Sequence, residues 1–292
     1  MITSVGIVAK RGLLGAIEHL GSIATWLDAR GVTPIFERET ADMAGLPASR
    51  ARVAREDLPA ASDLILVLGG DGTLIGMADR IACVGRDVPI LGVNFGSLGF
   101  LTEITLPELY PSLEAALAGT APVDARLMLR SSVRSGDHIV EDRLVLNDVV
   151  IARGALSGLI DLSVSVGGQF VARFNADGLI IATPTGSTAY NLSAGGPIVH
   201  PAIDALVVTP IAPHILTNRP VVIPAAEEVV VQPLVRNPSH EIYVSFDGQS
   251  GVKLETDDVV TVRAADRRLH LIRASTRSYF QVLRQKLKWA ER

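Results

Sequence analysis

Residues 64–73 read LILVLGGDGT: five consecutive apolar side chains, then three glycines with an aspartate among them, and a threonine. An uninterrupted apolar run of this length, entered from Asp63 and left through glycine, is the pattern of a strand buried on both faces of a parallel sheet. Glycines at the carboxyl end of such a strand let the backbone approach a phosphate closely. The helix that follows offers unpaired N–H groups and the positive end of its dipole. An anion-binding corner results. Asp71 is out of place in it unless a cation intervenes or its carboxylate has chemistry to do, because its charge repels phosphate; as a general base it accepts a hydroxyl proton. The same residues also suit an ordinary tight turn in which Asp71 caps the next helix.

Working outward, residues 4–9 form a short apolar run closed by Lys10 and Arg11, and Leu13, Ile17, Leu20, Ile23 and Leu27 recur at helical spacing before Gly31 stops the helix. Residues 73–83 predict a helix, residues 89–93 a second buried strand, and residues 107–117 another helix with Pro107 in its first turn. Strand, helix, strand, helix predicts an α/β N-terminal domain over residues 1–121. Beyond it come short β-branched runs at 144–151, 162–166, 229–232, 242–246 and 259–262, divided by turn residues. These predict a β-rich C-terminal domain over residues 122–270. Helical spacing returns through Phe280, Leu283 and Leu287, so residues 271–292 are expected to pack a helix back on the first domain.

Composition narrows the function. The 292 residues suffice for one or two cores, and with 48% apolar but only 4% aromatic residues, burial rests on Ala, Val, Ile and Leu. Lys and Arg number 27 against 31 Asp and Glu, a net charge of −4, which argues against nucleic acid as a partner. No uncharged apolar stretch reaches the ~20 residues a membrane helix needs, and Lys10 and Arg11 fall where a signal peptide keeps its apolar core. Cys83 is the single cysteine, which excludes an internal disulfide and a multi-thiolate metal site. The expected setting is the cytoplasm, with no membrane partner. The histidines at 19, 138, 200, 214, 240 and 270 lack metal-ligand spacing, and no protein metal site is expected. P-loop, G-x-G-x-x-G and G-x-S-x-G patterns are absent.

GGDGT after an apolar strand resembles the shared signature of a kinase superfamily that includes NAD kinases, diacylglycerol and sphingosine kinases and, in variant form, 6-phosphofructokinases. A second block chooses among them. Residues 175–199 read NADGLIIATPTGSTAYNLSAGGPIV, and 177–197 are similar, nearly residue for residue, to the NAD kinase pattern DGLIxxTPTGSTAYxxSAGGPI, which lipid kinases lack. GVNFGSLGFL at 92–101, Asn147-Asp148 and Asp247-Gly248-Gln249 resemble further family segments in order along the chain.

The resemblance implies a two-domain, phosphofructokinase-like architecture. It implies a kinase that moves the terminal phosphoryl group of ATP to the 2′-hydroxyl of the adenosine ribose of NAD, giving NADP. Gly69, Gly70, Gly72 and Thr73 would cradle phosphate, and Asp71 would accept the proton. Asp71, Gly72, Asn147, Asp148, Asn175, Asp177, Thr188, Ala189, Tyr190, Asn191, Leu192, Ser193, Ala212 and Gln249 would contact NAD, with Tyr190 offering a flat face for a ring. The block from Asp177 is expected to be a rigid loop, Phe100 either lines the pocket or packs in the core, and His214 stands near Ala212. The family more often has Glu at the place of Asp148, and some bacterial relatives carry Arg at the place of Asn175, which bears on the choice between NAD and NADH. Mg2+ or another divalent cation is expected to arrive with ATP. Assembly into a homodimer or homotetramer is expected, with neighbouring copies contributing to the pocket. The alternatives are a non-catalytic NAD-binding sensor and a lipid kinase.

Overall fold

The strand β1 (Ser4–Ala9) carries Val5, Ile7 and Val8 at zero exposure because it runs through the middle of a parallel sheet, with a neighbour on each side. The structure, a computed structural model, describes residues 2–155, 158–215, 217–234, 241–249, 251–273 and 277–289. Its chain divides into two units, residues 1–125 with 269–292, and residues 126–268.

In the first unit, β1 leads to α1 (Leu14–Asp28), whose Leu20, Ile23, Ala24 and Leu27 form the buried stripe read from the sequence. Gly31, at φ +70, turns the chain after it and the Val32 N–H returns to the Leu27 carbonyl at 3.1 Å. Then follow β2 (Thr33–Glu37), α2 (Arg38–Met43), β3 (Arg52–Val53), α3 (Leu58–Ala61) and β4 (Leu64–Leu68). All five residues of β4 are fully buried, as the LILVL run requires. Next are α4 (Asp71–Cys83), β5 (Ile90–Asn94), β6 (Ile104–Thr105), α5 (Leu109–Leu117) and β7 (Val123–Arg126). Sheet order is β3-β2-β1-β4-β5, then the strand Leu269–Ile272, then β7. The order turns back between β1 and β4. Ligands of open parallel sheets bind at the carboxyl ends of strands at such a switch point, and both Lys10-Arg11 and the glycine loop leave from there.

The second unit contains two six-stranded sheets. One has β8 (Leu129–Ser135), β9 (His138–Val145), β11 (Ile160–Val166), β12 (Gln169–Ala176), β16 (Val229–Pro233) and β19 (Asp258–Ala264). The other has β10 (Asp148–Arg153), β13 (Gly178–Ala182), β14 (Ala205–Ile211), β15 (Val221–Pro224), β17 (Ile242–Phe246) and β18 (Val252–Leu254). Alternate residues of both, such as Ile160, Leu162 and Val164 against Leu179, Ile181, Leu206 and Val244, share one core. That is the packing of a sandwich.

Three expectations need correction. The helix after β4 starts at Asp71 instead of Thr73, so Asp71 and Gly72 are its first turn. The apolar run 144–151 is two strands, broken at Leu146-Asn147 by a turn whose backbone is bound from outside the run. The block from Asp177 is not all loop: residues 178–182 are the fully buried β13, and Tyr190–Ser193 is a helical turn, α6. Among the described residues, no helix is long and apolar enough to cross a membrane.

Candidate functional site

Asp71 does not cap α4. Gly70 occupies the N-cap position, and the Asp71 carboxylate turns instead toward residues 100–102. Oδ2 accepts the Phe100 N–H at 2.8 Å, while Oδ1 accepts the Leu101 N–H at 3.1 Å and the Thr102 N–H and Oγ1–H, both at 2.9 Å. The capping role that the tight-turn alternative gave Asp71 does not hold, because its carboxylate is bound by residues 100–102 instead. Gly99 makes the approach possible, since a Cβ there would stand 2.1 Å from Asp71 Oδ1. Asn94 shapes the same loop from its other end, accepting the Gly96 N–H at 2.6 Å and donating to the Ser97 carbonyl. A Cβ on Gly69 would strike Thr73 Oγ1 at 2.9 Å, whereas nothing lies within 4 Å of one at Gly70 or Gly72. Protein packing demands glycine at 69; at 70 and 72 the open backbone is accessible to a ligand.

A hollow of about 580 Å3 is lined by Arg11, Arg38, Arg55, Arg80, Glu37, Glu39, Ala54 and Glu56. Glu37 is buried and paired with Arg55 at 2.6 Å, and Arg11 is paired with Glu39. Arg38 has no acidic partner among the described residues and is exposed. The sequence reading missed these cations. Their signal was position: Arg11, Arg38 and Arg55 each stand within two residues of the end of β1, β2 or β3.

In the second unit the Asn147-Asp148 turn is built by Asp247. Its carboxylate accepts three N–H groups, from Leu146 at 2.8 Å, Asn147 at 2.7 Å and Asp148 at 3.1 Å, and its own N–H donates to the Asp148 carbonyl at 3.0 Å. Asp247 holds a left-handed φ of 50 to do so. Thr183 braces the turn from β13, its N–H on the Asn147 carbonyl at 2.9 Å and its hydroxyl on the Leu146 carbonyl at 2.6 Å. A Cβ on Gly186 would lie 2.1 Å from that Asn147 oxygen. The Asn147 amide itself has no partner among the described residues. Asp148 is 4% exposed, and burial together with the Asp247 charge pushes the pKa of its carboxyl up to about 7, opposed by the Tyr190 N–H.

Tyr190 leaves its ring exposed next to this turn, and Thr188, Ala189, Leu192, Ser193 and Gln249 are accessible to different degrees. Asn191 is not. Its side chain has zero exposure, donates to the Ser187 and Pro197 carbonyls at 3.0 and 3.1 Å and accepts the Thr209 hydroxyl at 2.7 Å, so it ties the loop and presents nothing outward.

Asn175, Asp177 and Ala212 lie elsewhere. Asp177 precedes β13 at the end where Gly178 pairs with Ala152, while Asp148 pairs with Ala182 at the opposite end, roughly 17 Å away at 3.4 Å per residue. Asp177 is paired with Arg153 at 2.5 Å, Asn175 Nδ2 donates to Asp161 at 3.0 Å, and the His214 N–H meets the Asn175 carbonyl at 2.9 Å. Ala212 holds a left-handed φ of 42. One copy of the chain therefore presents two separated groups of candidate acceptor residues. Among the described residues no group of three or more His, Cys, Asp or Glu could hold a metal ion, and His240 lies outside those residues.

Two family models match the chain, the ATP-NAD kinase N-terminal domain over residues 5–121 and the ATP-NAD kinase C-terminal domain over residues 146–274. An NAD kinase of Geobacter metallireducens is 49% identical over 272 residues, 93% of each chain. That of Solibacter usitatus is 42% identical over 292 residues, 100% of this chain and 99% of its own. Among solved structures, yeast NADH kinase complexed with NADH aligns with a TM-score of 0.90 at 24% identity, covering 100% of this chain and 89% of that one, a likeness of fold. An NAD kinase from Archaeoglobus fulgidus in complex with ATP aligns with a TM-score of 0.74 at 25% identity, covering 97% and 99%. With both domain models in order along its length and close relatives spanning nearly all of it, the chain belongs to the NAD kinase family.

Proposed function

We propose that this chain transfers the terminal phosphoryl group of ATP to the 2′-hydroxyl of the adenosine ribose of NAD, with Asp71 as the proton acceptor. The observation that carries the role of Asp71 is its asymmetric cradle. Among the described residues Oδ1 takes three hydrogen bonds and Oδ2 one, so Oδ2 keeps a lone pair for a substrate hydroxyl. Phosphoryl transfer asks the protein mainly for positioning and charge neutralisation. The backbone of Gly69, Gly70, Gly72 and Thr73 at the start of α4 approaches the phosphates. The donor is the magnesium complex of ATP, because Mg2+ keeps phosphate and water oxygens in preference to an all-protein cage, and it neutralises charge on the transferring group. The cytoplasmic setting is in keeping with a free, exposed Cys83.

Purified protein incubated with ATP, Mg2+ and NAD is expected to form NADP. A folded sample that binds NAD and forms none overturns the kinase reading in favour of a sensor.

The arginine-lined hollow at the ends of β1, β2 and β3 takes the donor. Arg38, without a carboxylate partner among the described residues, contributes a charge-assisted hydrogen bond to its phosphates. Arg38→Ala is expected to raise KM for ATP about tenfold, the scale of one such bond, and to leave KM for NAD within twofold. Steady-state kinetics with each substrate varied in turn read this directly.

The acceptor site is completed by a second copy in a homodimer or homotetramer. This is supported by the separation of the Asn147-Asp148 turn from the Asn175, Asp177 and Ala212 group along β13. Asn147→Ala and Asp177→Ala, each weakly active alone, are expected to regain part of the activity when refolded together, because mixed oligomers contain one intact combination. Failure of mixtures to exceed the sum of the separate activities would falsify the shared site.

A further inference from the structure

The loop that fixes Asp71 is itself fixed by the end of the chain. Thr102 donates twice to Asp71 Oδ1, and the next residue, Glu103, is 5% exposed and grips Arg273 through two parallel bonds, Nε to Oε1 and Nη2 to Oε2, both at 2.8 Å. The same guanidinium donates to the Arg277 carbonyl at 2.9 Å and lies 3.6 Å from Asp124. Arg277 donates to the Glu103 carbonyl at 3.1 Å and pairs with Glu108 at 3.1 Å. Further on, the C-terminal helix Tyr279–Leu287 sets Lys286 5.7 Å over the ring of Phe100, whose N–H is, among the described residues, the single donor to Asp71 Oδ2. The C-terminal arm therefore grips the cradle on both sides, at the residue that serves Oδ2 and next to the one that serves Oδ1. A planar fork-to-fork pair largely removed from water sets orientation far more narrowly than a point contact.

We propose that Arg273 is a positioning residue for phosphoryl transfer. Through Glu103 it holds residues 100–102 where their N–H groups aim the Asp71 carboxylate, so that the C-terminal arm governs turnover and not substrate affinity. The inference rests on the reading of Asp71 as proton acceptor. Its physical basis is the steep dependence of proton transfer on sub-ångström placement of the accepting oxygen.

The test measures kcat and both KM values for Arg273→Lys and Arg273→Ala, each alone and in the Asp71→Asn background, with folding followed by circular dichroism. Lysine keeps the charge that Glu103 needs but not the fork, so Arg273→Lys is expected to fold and to lose about tenfold to a hundredfold in kcat, with both KM values within threefold. Arg273→Ala leaves Glu103 buried and unpaired; if it does not fold, the lysine variant carries the test alone. In the Asp71→Asn background the same substitution is expected to change kcat by less than about twofold, because the group it positions is already disabled. Wild-type kcat in Arg273→Lys, or a loss equally large in both backgrounds, overturns the positioning role and leaves the role of Asp71 standing. Wild-type turnover in Asp71→Asn alone overturns that role and the inference with it.

Discussion

Asp71→Asn is expected to lower kcat by ~10²- to 10⁴-fold, the contribution of a positioned general base, while KM for NAD stays within a few-fold. The asparagine side chain has the same shape but cannot accept the proton. Its amide also meets a cradle dominated by fixed donors: the Phe100, Leu101 and Thr102 N–H groups point at the carboxylate, and only the Thr102 hydroxyl, which donates to it, could turn to accept instead. The better rotamer leaves Oδ1 on the three donors and turns the NH2 against the Phe100 N–H. One bond is lost and two donors face each other, at a cost of ~1–3 kcal/mol in stability. The variant should therefore melt a few degrees below the wild type yet remain folded at assay temperature. Loss of turnover without loss of NAD binding, measured on the same sample, assigns the defect to chemistry. Turnover near the wild-type value would remove Asp71 from the mechanism.

Why the strand and glycine loop around Asp71 could be read from the sequence, and the donors to its carboxylate could not, follows from range. LILVL followed by GGDG is local: five buried residues and the glycines that end them state both the strand and the loop. The donors to Asp71 come from about thirty residues away, and the turn that carries Asn147 and Asp148 is held by Asp247 about a hundred residues away. No periodicity encodes either distance. At Asn191, which the resemblance placed beside NAD, the side chain is buried and its amide donates to the Ser187 and Pro197 carbonyls, a tertiary commitment that no local pattern states. Local propensity located strands such as β4 and β11. It failed at 144–151, where a turn imposed from outside breaks a β-branched run in two.

The same externally imposed turn makes Asp148 a source of pH dependence. Its unfolded carboxyl titrates near 3.8 and the folded one at about 7, because burial and the neighbouring Asp247 charge both disfavour the anion. Below pH 3.8 the proton is bound in both states. Between these values the folded state keeps a proton that the unfolded state has released, so this group's stabilisation is full in acid and is lost as pH rises through 7. The penalty above 7 is of the order of a few kcal/mol. Asp148→Asn removes it, since a neutral amide can accept the Tyr190 N–H and donate toward Asp247. The variant is expected to melt ~5 °C above the wild type at pH 8, with the gain shrinking below pH 7 and gone near pH 4. A buried group kept at such a cost fits a role in binding: a ligand amine or ribose hydroxyl donating to the carboxylate stabilises its ionised form. Wild-type KM for NAD should then fall between pH 6 and pH 8, whereas in Asp148→Asn it should be higher and flat across that range. If the asparagine variant proves less stable than the wild type at pH 8, burial of this carboxylate is not the strain inferred here. If its KM for NAD tracks pH as the wild type does, the titrating group at the acceptor site is another one.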